Sequence, residues 1–166
     1  VYEFDPTLMR EDVARAKARA DLVLVSVHWG ANYHDVSDRQ EHYARKMVKA
    51  GVDVVNGHGA HRTQKTEVLG GVPVVYSLGN GPFGSRGDYN RSSPHIRCSS
   101  VARYTFADGE LVKLELLPIV TDNTIVEYQS RAAERDRAVK EWEPYLTKGG
   151  VSWTRGDDGW YQIGLP

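Results

Sequence analysis

The chain has 166 residues, of which 40% are hydrophobic and 26% charged, and this balance indicates one ordinary globular domain rather than a disordered chain. Its 21 Lys and Arg residues against 22 Asp and Glu give a formal net charge of −1, which argues against a dedicated nucleic-acid binder because such proteins carry a basic excess. The single cysteine, Cys98, excludes an internal disulfide and a cysteine-rich zinc site.

The first predicted elements are a helix and a strand. Asp5 followed by Pro6 is a typical helix start, because the side chain caps the first turn and proline presets its φ angle. The spacing of apolar residues extends this helix over about residues 6 to 19. The β-branched run over 22–27 lacks alternation, which predicts a strand covered on both faces.

A capping box predicts the start of the second helix, with Ser37 at the cap and Gln40 three residues later. Gly51 ends this helix, since glycine readily adopts the left-handed conformation that follows a last turn. The next strand is predicted over 52–55. The strand–helix–strand order therefore predicts a βαβ unit with parallel neighbouring strands.

Antiparallel hairpins and one further helix are predicted in the rest of the chain. An amphipathic helix is expected over 130–146, and residues 79–95 form a long loop. The hairpins join 67–69 to 72–78 through Gly70-Gly71, 101–106 to 111–118 through Asp108-Gly109, and two strands of 151–165 through Asp157-Asp158-Gly159. The predicted fold class is α/β (α+β), a βαβ unit followed by antiparallel hairpins in a single domain.

Polar side chains follow three of the predicted strands at the point where each strand ends. His28 follows the first strand, and His58 and His61 follow the second. Asn80 follows the third apolar run. Ligand crevices form at this edge of open α/β sheets, and imidazole is a common ligand of Zn, Mn and Fe. The pattern predicts a metal site, with the plainer alternative that His58 and His61 cap backbone groups in a polar loop.

Three motifs, in order and at the right spacing, carry a family resemblance. They are His28-Trp29-Gly30-Ala31-Asn32-Tyr33, Gly57-His58-Gly59-Ala60-His61 and Tyr76-Ser77-Leu78-Gly79-Asn80-Gly81. They resemble the His-Trp-Gly-x-Glu-Tyr, Gly-His-x-Pro-His and Tyr-Ser-Leu-Gly-Asn-Phe pattern of CapA-like poly-γ-glutamate capsule synthesis proteins. That family is a branch of the calcineurin-like metallophosphoesterases. The likeness covers most of residues 5–83.

The resemblance implies that this chain supplies one side of a two-metal site. It implies a four-layered α/β/β/α sandwich, with this chain as the C-terminal part and divalent Mn, Zn or Fe ions between the sheets. His28, His58 and His61 carry over as metal ligands. Asn80 and Asn32 carry over as candidate catalytic positions. The family's metal-binding aspartates and Asn-His segment lie in an N-terminal half, and neither an Asp-x-His nor an Asn-His segment occurs in this chain.

Departures from the family pattern leave two main hypotheses open. Asn32 stands where the family has Glu and removes a carboxylate, while Ala60 replaces Pro and Gly81 replaces Phe. The first hypothesis is a metal-dependent hydrolase of phosphoester-type or related anionic substrates, small or polymeric, in poly-γ-glutamate capsule synthesis. The second is a non-catalytic assembly or export factor with a vestigial metal site. A plain β-rich interaction module is a third alternative.

The start of the chain bears on its cellular location. The chain begins with Val1 and not with an initiator Met, and the pattern indicates that this residue lies in the middle of a strand. We therefore expect that a longer protein has been cut. The apolar runs are far shorter than the roughly 20 residues of a membrane span. Membrane attachment would therefore come only through a missing N-terminal anchor, and the resemblance favours the cell envelope.

Overall fold

A computed structural model describes residues 5–81, 98–120 and 132–166 of the chain. This part of the chain contains three helices and eight strands, and the strands form two four-stranded sheets. The helices are α1 (Pro6–Lys17), α2 (Asp38–Ala50) and α3 (Ala132–Gly149). The strands are β1 (Leu24–His28), β2 (Val54–His58), β3 (Thr66–Leu69), β4 (Val72–Val75), β5 (Cys98–Ala107), β6 (Glu110–Val120), β7 (Trp153–Arg155) and β8 (Tyr161–Ile163). The sheet orders are β1-β2-β4-β3 and β5-β6-β8-β7.

Both helix starts predicted in the first half of the chain are confirmed. The Asp5 carboxylate accepts hydrogen bonds from the backbone N–H groups of Thr7 and Leu8, at 2.7 and 3.3 Å. The capping box of Ser37 and Gln40 is formed at the start of α2. Gly51 ends that helix with a φ of 97°, a left-handed conformation that glycine adopts without steric penalty.

The predicted βαβ unit is also confirmed, because β1 pairs in parallel with β2 and β2 in parallel with β4. Strand β3 then returns antiparallel to β4 as the expected hairpin. The two helices α1 and α2 cover one face of this sheet. Their shared core contains the buried residues Val13, Val23, Ala44, Met47, Val52, Val55, Val74 and Tyr76. The apolar residues of α1, α2 and the first sheet therefore form one helix–sheet core.

The prediction that the first strand is covered on both faces is wrong. Among the described residues, strand β1 is the edge of its sheet. Leu24, Ser26 and His28 are exposed along one face, with Leu24 45% exposed. Val25 and Val27, which point the other way, pack against the helix-side core. An apolar run without alternation shows only that the strand is rich in apolar residues. Whether the strand lies at an edge depends on which other segments pack beside it.

The second sheet is built from the predicted hairpins and is covered by α3. Strands β5 and β6 are joined by Asp108 and Gly109, whose φ angles of 50° and 80° suit a tight hairpin turn. Trp142 of α3 is 1% exposed and donates its indole N–H to the Ser100 hydroxyl at 2.6 Å. Its ring meets Tyr161 of β8 edge-on at 4.8 Å. This helix begins within two residues of the expected position and continues three residues further.

The two sheets face each other near the carboxyl end of β2. The Tyr104 hydroxyl of β5 donates to the Asn56 side-chain oxygen of β2 at 2.9 Å, and Val75 of β4 lies in the same core as Leu114 and Leu116 of β6. The mixed α/β class with a βαβ unit and antiparallel hairpins is thus confirmed. The fourth layer and the single-domain assignment stay predictions, and most of the loop expected over 79–95 falls outside the described residues.

Other potential ligand residues lie outside the candidate site. Cys98 opens β5 and is buried, and burial raises the pKa of its thiol. His34 and His42 are exposed. No helix in the described part of the chain is both long and apolar enough to span a membrane.

Candidate functional site

Two of the predicted metal ligands meet at the ends of adjacent parallel strands. His28 closes β1 and His58 closes β2, and the two residues are register partners. Their rings lie edge to face, with centroids 5.1 Å apart and planes at 81°. The backbone N–H of Trp29 donates to the His58 carbonyl at 2.8 Å and extends the ladder by one residue. Parallel pairing therefore brings together two imidazoles that are 30 residues apart in sequence.

Glycine makes this close approach possible. Gly59 has a φ of 102°, and a β-carbon added there would lie 2.8 Å from the His28 Nε2 atom. A β-carbon added at Gly57, in β2, would lie against the Tyr76 carbonyl oxygen and within 2.5 Å of the Trp29 Nε1 atom. The glycines of the second motif therefore serve the packing of His28 and Trp29 as well as the turn itself.

The third predicted ligand, His61, lies in a strained turn and is held by Asn80. Its φ of 55° is left-handed, which is uncommon for a residue with a side chain. The His61 Nδ1–H donates to the Asn80 Oδ1 atom at 2.7 Å. With the proton on Nδ1, Nε2 is the unprotonated nitrogen of the ring. Asn80 is positioned in turn, because its backbone N–H donates to the Ser99 hydroxyl of β5 at 3.0 Å.

A second left-handed residue, Tyr33, lies against the same turn. Its φ is 69°, its backbone N–H donates to the Ala60 carbonyl at 2.7 Å, and its ring centroid is 5.8 Å from that of His61. Two strained residues from two different loops thus contact each other. Strain of this kind persists where the surrounding contacts over-determine it, and it clusters at functional sites.

The structure groups four of the five predicted site residues into two pairs. One pair is His28 with His58, and the other is His61 with Asn80. Asn32 is exposed in the loop between β1 and α2, next to Tyr33. Within the described residues, no group of three or more His, Cys, Asp or Glu side chains is arranged to hold a metal ion. The three-histidine ligand set therefore stays a prediction, and the two adjacent imidazoles fit part of such a set.

The electrostatics at His58 suit a nitrogen ligand. Burial lowers the pKa of His58 below its ordinary value, and the neighbouring His28 lowers it further. A lowered pKa keeps the imidazole neutral at physiological pH, and only the neutral ring has the lone pair that a metal requires. His28 is more exposed than His58, so this edge of the sheet is open to solvent.

Sequence reasoning missed Arg62, the residue that follows His61. Its guanidinium donates to the Tyr33 carbonyl at 3.0 Å and to the Tyr145 hydroxyl of α3. It also pairs with the Asp35 carboxylate at 3.3 Å. In the sequence, only its position directly after His61 indicates that Arg62 lies near the site. The contact with Tyr145 spans 83 residues and has no local signature.

Buried amides support the loop that carries Asn32 and Tyr33. Gln40 and Gln64 are 3% and 2% exposed, and the Gln40 Nε2 donates to the Gln64 Oε1 atom at 2.9 Å. The Gln64 Nε2 donates to the His34 carbonyl at 3.0 Å. These hydrogen bonds hold the loop after β1 against α2 and the segment before β3.

Trp29 connects the site to a charged network on the helix side of the sheet. Its indole N–H donates to the Tyr76 carbonyl at 2.7 Å, and the two rings stack with centroids 5.5 Å apart. The Tyr76 hydroxyl donates to the Glu67 carboxylate at 2.6 Å, and Lys65 pairs with both Glu67 and Glu41. The hydrogen bond from Lys65 lowers the pKa of Glu41. This network fixes β3, β4 and α2 behind the two histidines.

The model of the family described as bacterial capsule synthesis protein PGA_cap matches residues 2–85, which contain all three motifs. The chain belongs to this family. The CapA-like resemblance that the motifs carried is therefore confirmed.

Relatives of the PGA_cap chain have names that refer to capsule or polymer synthesis. The chain is 34% identical over 120 residues to the PGA biosynthesis protein CapA of Bacillus subtilis, which covers 72% of this chain and 30% of that protein. It is 28% identical over 159 residues to the capsule biosynthesis protein CapA of Bacillus anthracis, covering 93% and 37%. A probable polyglutamine synthesis accessory protein of Mycobacterium tuberculosis is 29% identical over 110 residues, covering 62% and 28%. The matched regions span 28% to 37% of these three relatives.

Proposed function

We propose that this PGA_cap protein is a metal-dependent hydrolase of phosphoester-type or related anionic bonds that acts in poly-γ-glutamate capsule synthesis. The family membership and the names of the relatives support the link to the capsule polymer. The reaction type rests on the site. The single observation that supports it best is the pairing of His28 with His58 at the carboxyl ends of β1 and β2.

The residues described above have distinct roles in this proposal. His28 and His58 present two nitrogen donors on one sheet edge, and the bond from His61 to Asn80 orients a third imidazole. Bound divalent cations supply Lewis-acid activation of water and screening of anionic charge. Further ligands come from outside the 166 residues, as the family resemblance implies. Asn80 fixes a ring orientation, which outer ligand partners commonly do in metal sites.

The experiment that tests this proposal uses the full-length protein, purified and stripped of metal. Turnover of generic phosphomonoesters and phosphodiesters is measured before and after addition of Mn²⁺ or Zn²⁺. We expect metal-dependent turnover that His58→Ala abolishes. Absence of metal-dependent turnover with either substrate type and either metal would overturn the proposal.

A second function is favoured by one observation, the presence of Asn32 where the family has Glu. An amide cannot act as a base or acid, so the loss of this carboxylate suits a non-catalytic assembly or export factor for poly-γ-glutamate. The discriminating measurement is polymer production by cells that carry His58→Ala. Full production with this variant favours the assembly role, and loss of production favours the hydrolase.

A further inference from the structure

Beside the two histidine pairs, one carboxylate is held between two cations from distant parts of the chain. The Asp35 Oδ1 atom lies 3.3 Å from the Arg62 guanidinium, and its Oδ2 atom lies 3.1 Å from the Lys148 ammonium. Asp35 belongs to the loop between β1 and α2, Arg62 to the turn after β2, and Lys148 to the last turn of α3. The carboxylate of one segment thus meets cations from two other segments.

Tyr145 fixes the spacing of the two cations. The Arg62 guanidinium lies 5.4 Å from the centre of the Tyr145 ring, and the Lys148 ammonium lies 5.5 Å from it. Arg62 is held further by its donation to the Tyr33 carbonyl and to the Tyr145 hydroxyl. Both distances lie within the roughly 6 Å range of cation–π attraction, so the ring stabilises each cation independently of the carboxylate between them.

The carboxylate itself is the least constrained of the three charged groups. The Asp35 side chain is 58% exposed, compared with 55% for Lys148 and 25% for Arg62, and among the described residues Asp35 has no aromatic ring against it as the two cations do. Ion pairs at such exposure are worth little in water, because solvent screens them and the side chains must be ordered. A second carboxylate arriving from solvent therefore meets only weak competition.

This cluster adjoins the candidate site. Arg62 follows His61 directly in the chain, and the Tyr33 whose carbonyl it binds also has its ring 5.8 Å from the His61 ring. An anionic chain that reached His61 would pass close to Arg62 and Lys148.

We propose that Arg62 and Lys148 form a carboxylate-binding subsite, which Asp35 occupies in the free protein and which takes a carboxylate of the polymer substrate. The identity of that polymer as poly-γ-glutamate rests on the proposed function. A carboxylate is favoured over a phosphate because the group that the two cations hold in the structure is a carboxylate, approached by one cation at each oxygen.

The test measures binding of poly-γ-glutamate fragments to the full-length protein by calorimetry, in the presence of a metal chelator. Asp35→Asn removes the internal competitor, so the dissociation constant should fall, by about two- to fivefold. Lys148→Gln should raise the dissociation constant by a similar factor. Because no metal is present, failure of this subsite and failure of metal-dependent hydrolysis are separate results.

Two matched variants control for net charge. Asp12→Asn removes an exposed carboxylate beside an arginine on α1, and Lys49→Gln removes a lysine from the last turn of α2. Both should leave the dissociation constant unchanged. The proposal is wrong if Asp35→Asn binds the fragments no more tightly than the unaltered protein. It is also wrong if Asp35→Asn tightens binding only of a polyphosphate chain of equal length.

Discussion

The Nδ1–H of His61 donates to the Oδ1 atom of Asn80 at 2.7 Å, across 19 residues of sequence. This bond fixes the orientation of the ring and selects the tautomer whose Nε2 can bind a ligand. The His61 backbone is left-handed, a conformation with a narrow allowed range of φ and ψ, and the bond restrains this turn further.

Replacement of Asn80 should weaken metal binding without removing a ligand. Asn80→Ala deletes the acceptor, and loss of an outer partner of this kind lowers metal affinity by about 10- to 100-fold. Asn80→Asp keeps an oxygen acceptor and should retain affinity close to that of the unaltered protein. Calorimetric titration of the metal-free, full-length protein with Zn²⁺ measures both. Equal affinities for the Ala and Asp variants would contradict the orienting role.

His28→Ala and His58→Ala should each abolish tight metal binding. The double variant should contain no less metal than either single variant. Two ligands of one metal act as a unit, so their losses are not additive. His42→Ala is the matched control, because His42 is an exposed histidine on α2. Metal content of the purified proteins, measured by elemental analysis, reports the result. Simple addition of the two single effects would indicate that these histidines do not share a metal.

Asn32→Glu distinguishes the two proposed functions. The residue is exposed beside the site, so the change introduces a carboxylate without burying charge. If the protein is a hydrolase impaired by the missing carboxylate, turnover should rise by about 100-fold, the lower range of general acid–base catalysis. Asn32→Gln, which adds length without charge, is the control. No gain over this control would favour the assembly role.

Gly57→Ala should be strongly destabilising, because the added β-carbon has no room. It would contact the Tyr76 carbonyl oxygen and the Trp29 indole nitrogen inside the sheet. Overpacking of this kind costs about 3 kcal/mol. Gly51→Ala is a comparison with open space around the β-carbon but a φ of 97°, and it should cost only about 1 kcal/mol. Urea denaturation of both variants measures the free energies of unfolding, and similar losses would contradict the packing argument.

The ion pairs of Glu115 predict a pH dependence of stability. The hydrogen bond from Arg103, at 2.7 Å, lowers the pKa of Glu115 from 4.5 to about 2. Because the folded pKa is below the unfolded one, the stabilisation is complete above about pH 4.5 and is lost as the pH falls towards about 2. Glu115→Gln should flatten the stability profile across this window. Denaturation of this variant and of the exposed Glu110→Gln at several pH values tests the assignment.

Much of the local structure could be predicted from residues near each other in sequence. The Asp5 cap, the capping box of Ser37 and Gln40, and the Asp108-Gly109 turn each depend on contacts within a few residues. The order of strand, helix and strand determined the parallel pairing. That pairing and the three motifs placed His28 beside His58 and identified the family.

Other features depend on partners that are distant in sequence. They are the position of β1 at the edge of the sheet that the described residues form, with Leu24 exposed, the bond from His61 to Asn80, and the place of Asp35 between Arg62 and Lys148. The physical reason is the same in each case. The spacing of apolar residues and the residues of the turns indicate only the local backbone conformation. Burial, ring orientation and ion pairing depend on chain segments that become neighbours only when the sheets and α3 pack together.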